Sequence, residues 1–196
     1  MGMPLSRQWT AADVRALTRE DRPWPRYELI DGELIVTPAP RGPHQTAALE
    51  LALALAAYLE REAIGFALLS PADLELKPGT ITQPDLFVVP TGSEEWETSP
   101  AWSDIHSLLL AVEVLSPSSL RTDRIVKRDF YLANGVAEYW IVDVDERMIE
   151  RWTPMQKTPE LCRDSIAWAP LDREPLLIDL QALFNRIAIK WRWINR

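Results

Sequence analysis

The sequence is poor in the features that mark secreted and membrane proteins. It has a single cysteine, Cys162, so no disulfide can form within the chain, and nothing points to an oxidising compartment. Its N-terminal segment has no apolar stretch typical of a signal peptide. The longest apolar run, 47–59, contains Glu50 and is shorter than the roughly 20 residues that cross a bilayer. We therefore expect a cytoplasmic protein with no disulfide partner and no membrane contact.

Positive charge is also scarce. The 196 residues include 21 Lys+Arg against 29 Asp+Glu, which gives a formal charge of -8. A uniformly basic nucleic-acid-binding surface is thereby excluded, and any contact with a polyanion needs a local basic patch or metal ions. The apolar fraction of 47% is typical of a globular chain, and the length fits a single domain over 1–196.

Several common catalytic motifs are missing. The sequence contains no Gly-rich phosphate loop and no Cys/His spacing typical of zinc sites. Ser116 has no Gly-x-Ser-x-Gly surroundings, so a serine hydrolase has little support. The chemistry has to be sought among carboxylates and basic residues.

The hydrophobic pattern predicts a mixed α/β domain. An N-terminal helix and a hairpin that turns at Asp31-Gly32 are expected over 10–37. A core over about 44–143 follows, with the order helix, three strands, helix, strand, which indicates a mixed sheet. The C-terminal extension, 153–196, is expected to add further strands. The predicted strands after the hairpin are 66–69, 72–77, 86–89, 108–115, 138–142, 147–152, 176–178 and 187–193, and the core helices are 44–64 and 120–133.

Two carboxylates stand out by their positions. Asp85 begins an expected strand directly after Pro84, and Glu113 lies in the otherwise apolar run LLLAVEVL. Burial of a lone carboxylate is costly, and two of them on neighbouring strands would form a hard-oxygen site suited to Mg²⁺ or Mn²⁺. Such a site activates water and offsets phosphate charge. Taken singly, Asp85 is explained equally well as a turn residue, and Glu113 as a strand end that reaches solvent.

The helix after Glu113 carries basic residues that could serve such a site. Arg124, Lys127 and Tyr131 are spaced by three and four residues and share one face. Lys127 beside two carboxylates could orient the attacking water or stabilise charge that develops at phosphorus. An ordinary helix salt bridge to Asp123, four residues earlier, is the simpler explanation.

Three arginines of the same helix, Arg121, Arg124 and Arg128, are candidates for binding a nucleic-acid backbone. A solvated charged face explains them equally well. Glu28, before the hairpin turn, and His44, at the start of the long helix, are weaker candidates for an extra metal ligand or a base. A surface capping role explains His44 about as well.

Six short motifs follow one another between about residues 27 and 152. They are Tyr27-Glu28-Leu29-Ile30-Asp31-Gly32-Glu33-Leu34, His44, Pro84-Asp85, Glu113-Val114-Leu115-Ser116-Pro117-Ser118, Asp123…Lys127…Tyr131 and Gly135-Val136-Ala137-Glu138-Tyr139-Trp140-Ile141-Val142-Asp143. Each motif alone is weak, but the ordered set resembles the Uma-two family of putative restriction endonucleases, within the PD-(D/E)XK nuclease superfamily. The resemblance implies the restriction endonuclease-like core, whose element order matches the one expected from the hydrophobic pattern.

The resemblance also implies roles for the candidate residues. Asp85 and Glu113 would bind Mg²⁺, with Mn²⁺ as an alternative and the Val114 carbonyl as a third ligand. One departure concerns the superfamily lysine, whose place two residues after the glutamate is taken here by Leu115. The resemblance implies that the lysine has moved to the following helix, where Lys127 fits.

The first hypothesis for the function is a Mg²⁺-dependent endonuclease that hydrolyses DNA. An inactive nucleic-acid or protein binding module of the same fold, or a hydrolase of smaller phosphodiesters, are the alternatives. Because cutting a duplex takes two nicks, a homodimer is plausible, with exposed apolar candidates such as Trp191 and Trp193 near the C-terminus.

Overall fold

A six-stranded mixed sheet forms the centre of the fold, which a computed structural model describes over residues 8–18, 24–92 and 101–194. Two short antiparallel pairs, β1–β2 and β9–β10, lie outside it. The strands are β1 Arg26–Ile30, β2 Glu33–Thr37, β3 Gly65–Leu69, β4 Leu86–Pro90, β5 Leu110–Val114, β6 Tyr139–Asp143, β7 Met148–Trp152, β8 Glu160–Cys162, β9 Ser165–Trp168 and β10 Leu176–Asp179. The helices are α1 Ala11–Leu17, α2 Gly42–Glu62, a π-helical segment Thr122–Lys127 that continues into α3 Arg128–Ala133, and α4 Leu180–Ile194.

The central sheet has the order β3-β4-β5-β6-β7-β8, and only its middle pair, β5 and β6, is parallel. The parallel connection runs through the π-helical segment and α3, as the sequence predicts from a helix between two apolar strands. All five residues of β5 are buried, because the strand is covered on both faces. The predicted core of helix, three strands, helix and strand is therefore confirmed by α2, β3, β4, β5, α3 and β6.

The alternation of side chains on β5 divides the core into two layers. Leu110, Val112 and Val114 face the layer that contains α2 and α4, whereas Ala111 faces the layer that contains α3. By the same period of two, Glu113 projects toward α3. The site described below forms on this second face, where an apolar strand carries one charged residue.

Two predicted strands are wrong. Residues 187–193 belong to α4, since Leu180, Leu183, Phe184 and Ile187 are buried at helical spacing. Residues 72–77 form no strand, and Leu74 makes only an isolated bridge to Thr82. The predicted strand at 176–178 is present as β10, whereas β8 and β9 are C-terminal strands that the sequence pattern did not locate.

Trp191, one of the two tryptophans predicted as exposed interface candidates, is partly buried. Trp191 packs against the core layer of α2, and its indole N–H donates to Thr46 Oγ1 at 2.9 Å. The side chain of Trp193 lies outside the described residues. No helix in the described ranges combines the length and apolar character needed to span a bilayer.

Helices α2 and α4 are joined by an ion cluster. Glu50 of α2 is buried and accepts hydrogen bonds from Lys190 and from Arg186, the latter at 2.7 Å. These two bonds lower the pKa of Glu50 below its ordinary value of 4.5. The carboxylate is therefore stabilised in its ionised form by folding, and two basic residues near the C-terminus are neutralised within the protein.

We expect Glu50→Gln to lower the free energy of unfolding by about 1 kcal/mol at neutral pH, since both basic partners are half exposed. A carboxyl with a lowered pKa stabilises the fold above its unfolded pKa, and this contribution is lost as pH falls. The deficit should thus shrink below about pH 4.5. Urea denaturation from acid to neutral pH measures this, with the exposed Glu60→Gln as the control. An equal deficit at both ends of that range would contradict the assignment.

Candidate active site

Glu113 lies on β5, and Asp85 immediately precedes the neighbouring strand β4 on the same face of the sheet. In the pairing of β4 with β5, Leu86 is opposite Val112, so one further step places Asp85 opposite Glu113. Both side chains are buried, and the Val114 amide N–H donates to Asp85 Oδ2 at 3.0 Å. The sheet register therefore brings together the two carboxylates that the sequence singles out.

Two basic side chains bind Asp85. Arg26 Nη2 lies 2.7 Å from Asp85 Oδ1, and His44 Nε2 lies 2.9 Å from Asp85 Oδ2. Burial opposes ionisation of this carboxyl, but its contacts with His44, Arg26 and Lys127 together outweigh burial. The pKa of Asp85 therefore lies well below its usual value.

Lys127 is the centre of the other half of the site. Its ammonium Nζ lies 2.8 Å from Glu28 Oε2 and 2.9 Å from Glu113 Oε1, and its side chain is only 4% exposed. Asp123 Oδ1 is farther away, at 4.0 Å. Burial opposes the charged form of Lys127, but the surrounding carboxylates outweigh it and raise the pKa of Lys127 well above 10.5. Lys127 is therefore a permanent cation, and the helix pair with Asp123 is its weakest contact.

Glu113 lies in surroundings that disfavour its ionised form. Burial is the main cause, and the nearby Asp85 and Asp123 carboxylates add to it, while Lys127 acts in the opposite direction. The pKa of Glu113 is raised well above its usual value of 4.5. Tyr131 donates its hydroxyl to Glu113 Oε1 at 3.3 Å. The face shared by Lys127 and Tyr131 thus points at Glu113.

Asp123 is the fourth buried carboxyl of the cluster. Burial raises its pKa to about 6, against opposing contributions from Lys127 and Ser119. The backbone carbonyl of Asp123 accepts a hydrogen bond from Tyr139 at 3.0 Å, which ties the start of the helix to β6.

The hairpin places Glu28 in this cluster. Residues 28 and 26 project to the same side of β1, which carries Glu28 to Lys127 and Arg26 to Asp85. The Gln83 backbone N–H donates to Glu28 Oε1 at 2.8 Å, and the main chain of Leu29 pairs with that of Ile81. The hairpin is therefore docked against the segment that precedes Asp85.

A π-helical stretch carries the two buried charged residues of the helix. Asp123 and Lys127 are both buried within Thr122–Lys127, whereas the Arg124 and Arg128 side chains are 35% and 25% exposed. Short π-helical stretches occur frequently at functional sites. The site lysine thus comes from a segment whose backbone differs from an ordinary α-helix.

The three arginines predicted to bind DNA differ in how far they are engaged by other residues of the chain. Arg124 is bound to Glu150, at 2.6 Å, and to Asp143. Arg128 pairs with Asp129 and lies over the Trp152 ring. Arg121 is exposed and forms no ion pair with the described residues. Two of the three are thus already engaged within the chain.

Sequence reasoning missed Arg26 and gave Asp123 only a structural explanation. A signal for Arg26 is present in the sequence. Arg26 is two residues from the candidate Glu28 in the same predicted strand, so the two side chains share one face. Leu115, at the usual place of the lysine, is half buried and packs in the α3 layer. All five predicted catalytic residues are brought together: Asp85, Glu113, Lys127, Glu28 and His44.

The fold and this cluster define the restriction endonuclease-like class. The family model described as Uma2, putative restriction endonuclease, matches residues 11–181. The chain therefore belongs to the Uma2 family. Its fold is similar to the crystal structure of a putative nuclease belonging to DUF820 from Anabaena variabilis, with a TM-score of 0.73 and 22% identity over 91% of this chain and 99% of that chain. At this identity the likeness shows the fold alone. No curated protein matches the chain.

The donor set fits a hard divalent cation. Four buried carboxyls, Glu28, Asp85, Glu113 and Asp123, face two obligate cations, Arg26 and Lys127, so the cluster holds an excess of acidic groups. Within the described ranges no three His, Cys, Asp or Glu side chains form a complete set of protein ligands, that is, a metal-binding cage. Mg²⁺ rarely needs one, because it uses one or two carboxylates and completes its shell with water and substrate phosphate.

We expect Lys127→Met to lower the free energy of unfolding by about 3 kcal/mol, because it leaves Glu28 and Glu113 buried without their cation. Adding Glu28→Gln should restore part of that loss by removing one uncompensated charge. Chemical denaturation in EDTA measures both variants, with the exposed Lys157→Met as the control. A Lys127→Met protein as stable as the wild type would show that the ammonium does not hold the cluster together.

Proposed function

We propose that the protein is a Mg²⁺-dependent endonuclease that hydrolyses phosphodiester bonds of DNA, with Mn²⁺ as an alternative ion. The main support is the convergence of Asp85 and Glu113 with the buried ammonium of Lys127, which lies 2.9 Å from Glu113. Membership of a family of putative restriction endonucleases gives independent support for nuclease chemistry.

Asp85 and Glu113 would hold the ion, and the Val114 carbonyl is the proposed third ligand. When bound, the ion lowers the pKa of water and offsets phosphate charge. The excess of carboxyls over cations in the cluster supports this assignment, since a divalent cation would compensate it. The ligand set contains only oxygen atoms, which suits Mg²⁺ and Mn²⁺ better than softer metals.

The chain's own residues divide the remaining work. Lys127 is a permanent cation, so it stabilises negative charge or orients water by donating hydrogen bonds, and it does not act as a base. Glu28, which is fully buried, holds that ammonium in place. Arg26 and His44 fix the orientation of Asp85 and keep it ionised.

The substrate assignment rests on the family and on local positive charge. Arg121 is the exposed member of the helix arginines and remains a proposed backbone contact, together with Arg124 and Arg128. The overall charge of -8 argues against tight non-specific DNA binding at physiological salt. We therefore expect weak, metal-dependent and local contact. The homodimer and the cytoplasmic location stay predictions from the sequence.

We expect the wild type to cut plasmid DNA with Mg²⁺ or Mn²⁺, and Asp85→Asn to lose at least about a hundredfold in rate, because a neutral amide is a poor cation ligand. Gel analysis of nicked and linear plasmid measures this. Asp172→Asn is the matched control, since Asp172 lies in a left-handed turn that asparagine also adopts. Equal cutting by wild type and Asp85→Asn with either metal, on DNA and RNA, would refute the nuclease proposal.

Metal binding separates an enzyme from an inactive binding module. Calorimetric titration with Mn²⁺ should show a saturable site in the wild type and in Asp172→Asn, but none in Glu113→Gln, which keeps the shape of the side chain. An inactive module should bind the ion equally in all three proteins or in none of them. That result would favour a nucleic-acid or protein binding module over an enzyme.

A further inference from the structure

Two cavities flank His44 at the edge of the proposed active site. The larger, of about 440 Å³, extends to the turn after β6 and is lined by three carboxylates. The smaller, of about 210 Å³, lies between the loop after β2 and the turn after β5. Arg41 and His44 line both of them. Because His44 also contacts Asp85, both cavities lie one side chain away from that buried carboxylate.

The smaller cavity has the chemistry of an anion site. Its polar lining residues are Arg26, Thr37, Arg41, His44, Ser116 and Ser118, and no carboxylate of the described residues lines it. Arginine and hydroxyl donors are the groups that bind phosphate oxygens. The carboxylates of the larger cavity disfavour a phosphate there, so the charge pattern separates the two spaces.

Arg26, which lines this cavity, has an unsatisfied donor. The residue is 6% exposed, its Nη2 binds Asp85, and its guanidinium lies over the Trp24 ring. Its Nε is buried and has no hydrogen-bond partner among the described residues. A buried N–H of a cation is costly without an acceptor. A phosphate oxygen in the cavity that Arg26 lines would supply one.

The first turn of α2 adds to the positive character. Arg41 is the N-cap residue of this 21-residue helix, and its side chain makes no capping hydrogen bond. The free N–H groups of a long helix and its dipole attract anions at the N-terminus. Arg41 itself is exposed and forms no ion pair within the described ranges, unlike Arg124 and Arg128.

We propose that the smaller cavity binds a phosphate of the substrate strand next to the scissile phosphate, with the Arg26 Nε–H and the Arg41 guanidinium as donors. This inference rests on the proposed nuclease function and makes it more specific. It places the substrate DNA strand between the loop after β2 and the turn after β5. Arg41 becomes a substrate-binding residue that the sequence did not single out.

Binding of a short labelled DNA duplex by the full chain, with Ca²⁺ in place of Mg²⁺ to limit cleavage, tests the proposal. We expect Arg41→Ala to raise the Kd at least about tenfold, as loss of a charge-assisted hydrogen bond does. The slope of log K against log salt concentration should also fall by about 0.9, the value for one phosphate contact. Fluorescence anisotropy at several salt concentrations gives both quantities.

Arg173→Ala is the matched control. Its neighbour Glu174 accepts a hydrogen bond from Tyr58, sixteen residues along α2 from Gly42, which is about 24 Å of helix. This variant should bind DNA as the wild type does. If Arg41→Ala also binds with an unchanged Kd and salt slope while the wild type cuts DNA, the phosphate site is wrong and the nuclease proposal stands.

A second titration covers the case in which the wild type neither binds nor cuts DNA. Inorganic phosphate is then the probe, with calorimetry as the measurement. Saturable phosphate binding that Arg41→Ala abolishes and Arg173→Ala retains would support the cavity as a site for smaller phosphoesters. Absence of phosphate binding in that case, or equal binding by all three proteins, would overturn the proposal.

Discussion

The contact of the Lys127 ammonium with Glu28 and Glu113 is the interaction on which the site depends. It joins the hairpin, the central strand and the helix that connects the two parallel strands. Attraction between buried charges offsets the cost of removing them from water only when every partner is present. The same contact therefore assembles the cluster and attaches the hairpin to the sheet. A buried lysine of this kind is a structural element and, in the proposed function, a fixed positive charge beside the reacting phosphate.

The cluster has two halves that are organised differently. Asp85 is held ionised by basic neighbours, whereas burial disfavours the ionised form of Glu113. A chain with a formal charge of -8 thus concentrates acidic groups where a cation would compensate them. Beside His44 it leaves a cavity that no carboxylate of the described residues lines. In the proposed function this division lets an acidic protein meet a polyanion locally, through one ion and a few donors.

The sequence predicts the centre of this fold better than its ends. Asp85 is predicted because it begins a strand after Pro84, and Glu113 because a charged residue in an apolar strand is conspicuous. Lys127 is predicted because it shares a helix face with Tyr131. The engagement of Arg124 by Glu150 was not visible, since those residues are distant in the chain and meet only through the order of β6 and β7. The second half of α4, residues 187–193, is predicted as a strand because its apolar residues alternate, while its buried face is set by packing against α2.

The central claim is that Asp85 and Glu113 together form a site for a divalent cation. Anomalous diffraction from crystals grown with Mn²⁺ tests it most directly, because the ion identifies itself and its ligands without an assay of activity. We expect a single strong peak in contact with both carboxylates. A peak only elsewhere in the molecule, or no peak at millimolar Mn²⁺, would contradict the claim.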